Sequence, residues 1–312
     1  MDALASLLNG PRARGAFLMR VVLDPPWCVR VQDEAPLALV TMVRGEGWIV
    51  PDGGEPVRLR PGDTVVARGV QPYMVADDPA TKPQAVIHPG DRCTTLRGEP
   101  LEQTLGLGIR TWGSSLGGSA MMLIGTYHMF GEVGRRLLDA LPPLLVVPAG
   151  PGQSPLVAVL AGEIVKDEPG QAAVLDRLLD LLLIAVLRTW FASKDAEAPA
   201  WYRAYGDPVV GSALRMIYND PARPWTVAAL AAATGVSRAT LARRFTELVG
   251  EPPMAFLTGW RLAMAADLLR EPDATIGAVA GKVGYGSGFA LSAAFKRERG
   301  MSPSLYRRSE NS

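Results

Sequence analysis

The chain has 312 residues, 48% of them hydrophobic and 20% charged, with 32 Lys and Arg against 31 Asp and Glu. That length predicts two or three domains, and the composition excludes both a wholly disordered chain and a small disulfide scaffold. The net charge of +1 conceals an asymmetry: residues 201–312 hold 14 basic against 9 acidic side chains, so only this last third is suited to meet a polyanion.

The opening MDALASLLNGPRARG has no basic leader ahead of an apolar stretch, so no signal peptide is expected. Leu181–Leu187 is the longest apolar run in the greasiest segment, far below the roughly 18 residues needed to cross a bilayer. Two cysteines, Cys28 and Cys93, are too few for a disulfide framework and fit a reducing compartment. A cytoplasmic protein without a membrane partner is expected.

From Leu37 to Met129 short apolar runs alternate with turn residues, which predicts an antiparallel β-barrel or sandwich over residues 1–130. In VRLR, Val57 and Leu59 alternate with Arg58 and Arg60, and Pro61-Gly62 then supplies a type II turn. Residues 131–207 read as a helical linker or dimerisation region, with helices near 154–166 and 171–192. The second helix carries Val174, Leu175, Leu178, Leu179, Leu182, Leu183 and Val186 as an apolar stripe, covered either by its own barrel or across a homodimer. Residues 193–207 are expected to be a linker.

The basic region 208–312 contains one unit twice. TVAALAAATGVSRATLARRFTELVGEPP is followed by TIGAVAGKVGYGSGFALSAAFKRERGMSP. Thr226, Gly235, Ser237, Leu241, Phe245 and Gly250 recur as Thr275, Gly284, Ser287, Leu291, Phe295 and Gly300. Each copy reads as a helix-turn-helix, over 226–250 and 275–300. A threonine caps a short helix, glycine stops it, and serine caps a second helix. Ala231 and Ala280 let the two helices cross closely, the geometry that presents a second helix to the major groove of double-stranded DNA.

Helical phase then places the recognition faces. In the first copy Leu241, Phe245 and Leu248 set the buried direction, so Ala239, Arg243 and Thr246 point outward. Arg243 is the expected base reader, because a guanidinium bonds bidentately to guanine O6 and N7. Arg238 and Arg244 lie on the flanks, where phosphate contact is natural, with Thr240 beside them. In the second copy Phe289, Ala293 and Lys296 face outward. Phe289 and Ala293 suit thymine methyls, Ser292 an edge or phosphate, and Lys296, Arg297 and Arg299 phosphates, with Ser287 leading the helix. Between the copies, TGWRLAMAADLLREPD predicts a connecting helix with Arg261 exposed, holding the readers for adjacent grooves roughly 34 Å apart.

WTVAALAAATGVSRATLARRF, WRLAMAADLL and IGAVAGKVGYGSGFALSAAFKRERGMSPSLYRR together resemble the AraC/XylS family of bacterial transcription regulators over about 215–308. The resemblance implies a seven-helix domain that binds promoter DNA, with RNA polymerase as a further partner. The family's outward positions fall on Ala239, Ala242 and Arg243, and on Phe289, Ser292 and Ala293. Many members have arginine where Ala293 stands. RPGDTVVARGVQPYMV and LLDALPPLLVV resemble the cupin-type effector domain of one branch, which implies a β-barrel receiving an unknown small molecule and a dimerising helical region. Trp48, Tyr73, Met74 and Trp112 are candidates to line its pocket.

Catalytic cupins hold a transition metal with several histidines, whereas this chain has only His88 and His128, and Gln71-Pro72-Tyr73 stands where a ligand histidine would be expected. No metal, cofactor or catalytic residue is therefore expected, the alternative being a metal-dependent cupin enzyme tethered to DNA. A further alternative within the regulator is a redox sensor, if Cys28 beside Arg30 or Cys93 beside Arg92 is exposed enough to ionise.

Overall fold

The computed structural model describes residues 17–310 apart from 70, 102–103, 128–130 and 194–197. The described residues fall into two compact units, 17–127 with 141–193 and 131–140 with 198–310.

The first unit contains β1 (Phe17–Leu23), β2 (Cys28–Val31), β3 (Leu37–Arg44), β4 (Gly47–Pro51), β5 (Val57–Leu59), β6 (Thr64–Arg68) and β7 (Tyr73–Ala76). It continues with β8 (Ala85–His88), β9 (Arg92–Thr94), β10 (Gly106–Gly108), β11 (Thr111–Gly113) and β12 (Ala120–Tyr127). Helix α1 (Glu132–Leu138) belongs to the second unit, after which β13 (Leu144–Val147), α2 (Ser154–Glu163) and α3 (Gln171–Phe191) complete the first.

Two sheets result, ordered β10-β11-β1-β12-β3-β6-β13 and β5-β4-β7-β2-β8-β9. Val21, Val40, Val65 and Met122 from one share a core with Ile49, Leu59 and Val75 from the other. The sheets are not closed into the expected barrel, and β1–β11 and β2–β8 pair in parallel rather than antiparallel. Three of the four edge strands, β5, β9 and β10, are only three residues long, too short to carry a continuous hydrogen-bond ladder from sheet to sheet. At edge strand β5 the foreseen alternation half holds: Leu59 is fully buried but Val57 is exposed. Gly62, with φ +92°, supplies the left-handed third position of the Arg60–Asp63 turn, after Pro61 in its second.

Helix α3 buries Leu175, Leu179, Leu182, Leu183 and Val186 within its own unit, leaving Val174 and Leu181 exposed. Leu179 lies over Gly125 of β12, where a Cβ would stand 2.5 Å from a leucine methyl.

In the second unit α4 (Ala200–Ala204) occupies the stretch expected to be a linker and packs on the second helix of the first repeat. There follow α5 (Val210–Asn219), α6 (Val227–Ala233), α7 (Arg238–Val249), α8 (Pro253–Leu269), α9 (Ile276–Val283), α10 (Gly288–Arg299) and α11 (Pro303–Glu310). Tyr218 meets Phe256 and Trp260 edge-on at 5.8 and 4.7 Å, and Phe245 meets Phe256 at 5.7 Å, which seats α7 on α8. Leu262, Leu269, Val279, Leu291, Phe295 and Tyr306 form the core under the second copy.

Candidate nucleic-acid interface and apolar cavity

The two repeats fold alike down to their hydrogen bonds. Thr226, Ser237, Thr275 and Ser287 are N-caps whose hydroxyls accept the N–H of Ala229, Thr240, Ala278 and Ala290. Gly235 and Gly284 sit at φ +70° and +81°. Val236 N–H donates to Ala231 O at 3.1 Å and Tyr285 N–H to Ala280 O at 2.8 Å, the same Schellman closure in both turns. The buried Cβ atoms of Ala231 and Ala280 admit the close crossing that the sequence implied. GYGSG at 284–288 is therefore the second turn.

On α7, Leu241 and Phe245 are fully buried while Ala239, Arg243 and Thr246 are exposed and Ala242 is intermediate. Leu248 was expected inward but is 38% exposed, because the packed surface ends where Phe245 meets Phe256. Arg238 is exposed; Thr240 is half-buried, its hydroxyl within 2.9 Å of Ser237 Oγ. Arg243 lies on the outward face and donates to Glu247 at 2.8 and 3.0 Å, one turn along. Arg244 is turned away from the flank assigned to it: it donates at 2.6 Å to Asp207, ahead of α5. Burial pushes the Asp207 carboxyl up, but the N–H of Val210, the Arg244 guanidinium and the N–H of Val209 outweigh it and hold the group below the ordinary aspartate range.

On α10, Phe289 is 85% exposed beside exposed Ala293, Lys296 and Arg297, whereas Leu291, Ala294 and Phe295 face inward. Ser292 is half-buried, and its hydroxyl donates to Gly288 O at 2.8 Å, within its own helix. Arg299 is not free for phosphate, since it donates at 2.8 Å to Glu132 of α1. Arg261, expected to be exposed, instead ties α8 to the loop before α6 through Pro221 O and Arg223 O, both at 2.7 Å.

In the first unit a cavity of about 340 Å³ lies between the two sheets. Val21, Val40 and Met122 line it from one sheet and Val29, Tyr73 and Val75 from the other. Asp33, Asp91 and Arg110 supply the charged part of the lining. Of the four pocket candidates Tyr73 and Trp112 line the cavity; Trp48 and Met74 do not. Strand alternation explains the difference, because Ile49 and Val75 point into the shared core and their neighbours point to the other face. Burial, reinforced by the Asp33 carboxylate, pushes the Tyr73 phenol well above its ordinary value, so it is a neutral donor. The Trp112 indole N–H is buried without an acceptor among the described residues.

Both cysteines are buried and neither forms a disulfide. Burial, with Asp77 adding to it, pushes the Cys28 thiol up to about 11, and nearby Arg30 is engaged at 2.6 Å by Asp52. The exposure and cationic setting required for a redox sensor are thus not met at Cys28, while Cys93 is buried between the sheets and lines the cavity. His88 lies 2.9 Å from Thr94 Oγ1 and 3.4 Å from Gln32 Nε2; His128 falls outside the described residues. Among the described residues no three His, Cys, Asp or Glu side chains converge as metal ligands, and no helix is long and apolar enough to cross a membrane.

A cupin family model matches residues 2–192, and a helix-turn-helix domain model matches residues 230–309. The chain is 34% identical over 314 residues to a putative AraC-like transcription regulator of Streptomyces lividans, covering 99% of this chain and 98% of that one. It is 27% identical over 313 residues to the HTH-type transcriptional regulator AlkR of Acinetobacter baylyi, covering 98% and 99%. Among solved structures, the DNA-binding domain of AdpA in complex with a target DNA is 33% identical, covering 34% of this chain and 95% of that domain at a TM-score of 0.32. With capped twin helix-turn-helix units following a cupin domain, and relatives matched end to end, the chain belongs to the AraC-like transcription regulators.

Proposed function

We propose that this regulator answers to a small, predominantly apolar organic molecule received between the two sheets of the cupin domain. The observation that carries this reading is the cavity of about 340 Å³, whose walls are aliphatic and aromatic with Tyr73 as a neutral donor. Binding there shifts the population of DNA-binding states, and promoter occupancy or polymerase contact follows. Arg243 reads a base edge, Ala239 and Ala242 fit closely against the groove, and Arg238, Lys296 and Arg297 hold phosphates. Phe289, Ala293 and Ser292 supply the second unit's contacts. No catalytic step is assigned to the cupin domain. Val174 and Leu181 on α3 are the natural surface for a homodimer, and the cytoplasm is the setting.

A panel of apolar organic compounds carrying a carbonyl or carboxylate, titrated into the full-length protein by calorimetry and tryptophan fluorescence, tests the reading. Saturable one-site binding is expected, weakened by Ala38→Leu, whose three extra carbons intrude on the cavity. Tyr73→Phe weakens binding by about 0.5–1.5 kcal/mol if its hydroxyl meets the polar end. Binding unaffected by Ala38→Leu overturns the assignment.

A further inference from the structure

The two repeats share one frame and differ in what they present on it. Ser237 and Ser287 cap α7 and α10 alike, so that Ala239 and Arg243 of α7 occupy the places that Phe289 and Ala293 hold on α10. All four are exposed. Where α7 has a guanidinium, α10 has a methyl group, and one turn before it α10 has a phenyl ring in place of a methyl group. Phe289 is 85% exposed, more than any other large apolar side chain among the described residues. Helical phase gives it no route to the core, since fully buried Leu291, two positions on, is turned from it by about 200°. A single exposed apolar side chain is ordinary on a protein surface. What distinguishes this one is its place on the second helix of a helix-turn-helix and the side chains around it.

The exposed side chains in the first two turns of α10 are Phe289, Ala290 and Ala293, and none carries a hydrogen-bonding group. The two nearby hydroxyls are engaged locally: Ser287 accepts the N–H of Ala290 at 3.2 Å, and Ser292 donates to Gly288 O at 2.8 Å. Charged side chains begin only at Lys296, seven positions and about 10 Å beyond Phe289. In a helix-turn-helix the base edges are met by the N-terminal part of the second helix, which here is apolar. The apolar mark on a base edge in the major groove is the C5 methyl group of thymine; beside it thymine offers O4 as an acceptor where cytosine offers its N4 amino group as a donor. A phenyl ring and an alanine methyl gain from covering that methyl group, but have no means of telling O4 from N4. Phe289 and Ala293 lie about 6 Å apart along the helix, against roughly 3.4 Å between successive base pairs, so the pair spans about two steps.

We propose that α10 reads pyrimidine C5 methyl groups through Phe289 and Ala293, so that 5-methylcytosine serves in its block of the duplex as thymine does. This rests on the reading of α10 as a DNA contact and gives that contact its chemistry. Two units built on one frame then divide recognition between them, Arg243 hydrogen-bonding a base edge and α10 sensing methyl groups. Methylation of cytosine in the second block raises occupancy by a mark carried on the DNA.

A cycle between protein side chain and DNA methyl group tests this, with the full-length protein and a duplex that it selects from a random pool. Pyrimidine positions in the block that depends on Phe289 are filled in turn with thymine, uracil, cytosine and 5-methylcytosine, each opposite its Watson–Crick partner, and affinity is measured at one salt concentration. Thymine is expected to exceed uracil, and 5-methylcytosine to exceed cytosine, by the same factor, about twofold to fivefold for each methyl group covered. In Phe289→Ala, which removes no core contact, both ratios are expected to fall towards one. Ratios that persist unchanged in Phe289→Ala assign the effect to DNA shape and overturn the proposal, leaving α10 a DNA contact. A block that depends on Phe289 but shows no methyl effect, or a thymine–uracil ratio without a matching 5-methylcytosine–cytosine ratio, overturns it in the same way. A selected duplex in which no block depends on Phe289 overturns the DNA contact of α10 and the methyl reading with it.

Discussion

Arg244 and Asp207 are joined at 2.6 Å, and the same carboxylate accepts the N–H of Val209 and Val210 at the start of α5. One side chain thus pins α7 to the helix that precedes the first repeat. Neighbouring arginines have separate tasks as a result: Arg243 faces outward, while Arg244 holds the frame.

Arg244→Ala is therefore expected to lower stability, by about 1 kcal/mol after allowing for the partial exposure of the pair. Its effect on duplex affinity should be smaller than that of Arg238→Ala. Because the folded Asp207 carboxyl is held below its ordinary value, its contribution is present above the unfolded value of 3.8 and is lost as pH falls through the folded one. Urea unfolding at neutral pH and below pH 4 checks both points; in Asp207→Asn the acid-side loss should be smaller.

For Arg243 two magnitudes compete. An exposed pair with Glu247, four residues on, is worth a few tenths of a kcal/mol, whereas a bidentate guanine contact discriminates by about 1–3 kcal/mol. The guanidinium should leave Glu247 for the base. Arg243→Ala is expected to cost about 1–3 kcal/mol on a selected site and little on random DNA, while Arg297→Ala weakens both and reduces the salt slope by about 1. Filter binding over a salt series separates the two; equal losses for Arg243→Ala on both duplexes would contradict its role.

Phe289 and Phe295 share a helix and differ in burial. Phe295 is fully buried against Tyr306 at 5.4 Å, so Phe295→Ala should destabilise the domain by about 3–5 kcal/mol. Phe289 is 85% exposed, and Phe289→Ala should leave the melting temperature unchanged while lowering duplex affinity. Calorimetric melting beside a binding isotherm reads both.

Cys28 should resist thiol reagents in the native state. With its thiol raised to about 11, the thiolate is a minute fraction at neutral pH, and burial denies access. Labelling by iodoacetamide is expected only after unfolding, and Cys28→Ser with Cys93→Ser should leave DNA binding insensitive to peroxide treatment, as in the parent chain. Rapid native-state labelling would reopen the redox reading.

What could be read from the sequence was local. Serine and threonine caps, glycine stops and the inward Leu241 and Phe245 are fixed by neighbours within one or two turns, so periodicity and spacing revealed both repeats. Arg244 and Arg299 were misplaced because their partners, Asp207 and Glu132, are 37 and 167 positions away. β1 escaped notice because it is paired on both sides and its burial does not alternate, and α1 because it is held by a distant aspartate. Sheet closure was also not legible, depending as it does on how long the edge strands run rather than on their alternation.

Selection of duplexes from a random pool by the full-length protein, followed by sequencing, tests most directly whether both reading helices meet DNA. Two short preferred blocks separated by one helical turn, roughly 10 base pairs, are expected, the first losing its preference in Arg243→Ala and the second in Phe289→Ala. A single preferred block, or two blocks that neither substitution alters, would contradict twin reading by α7 and α10.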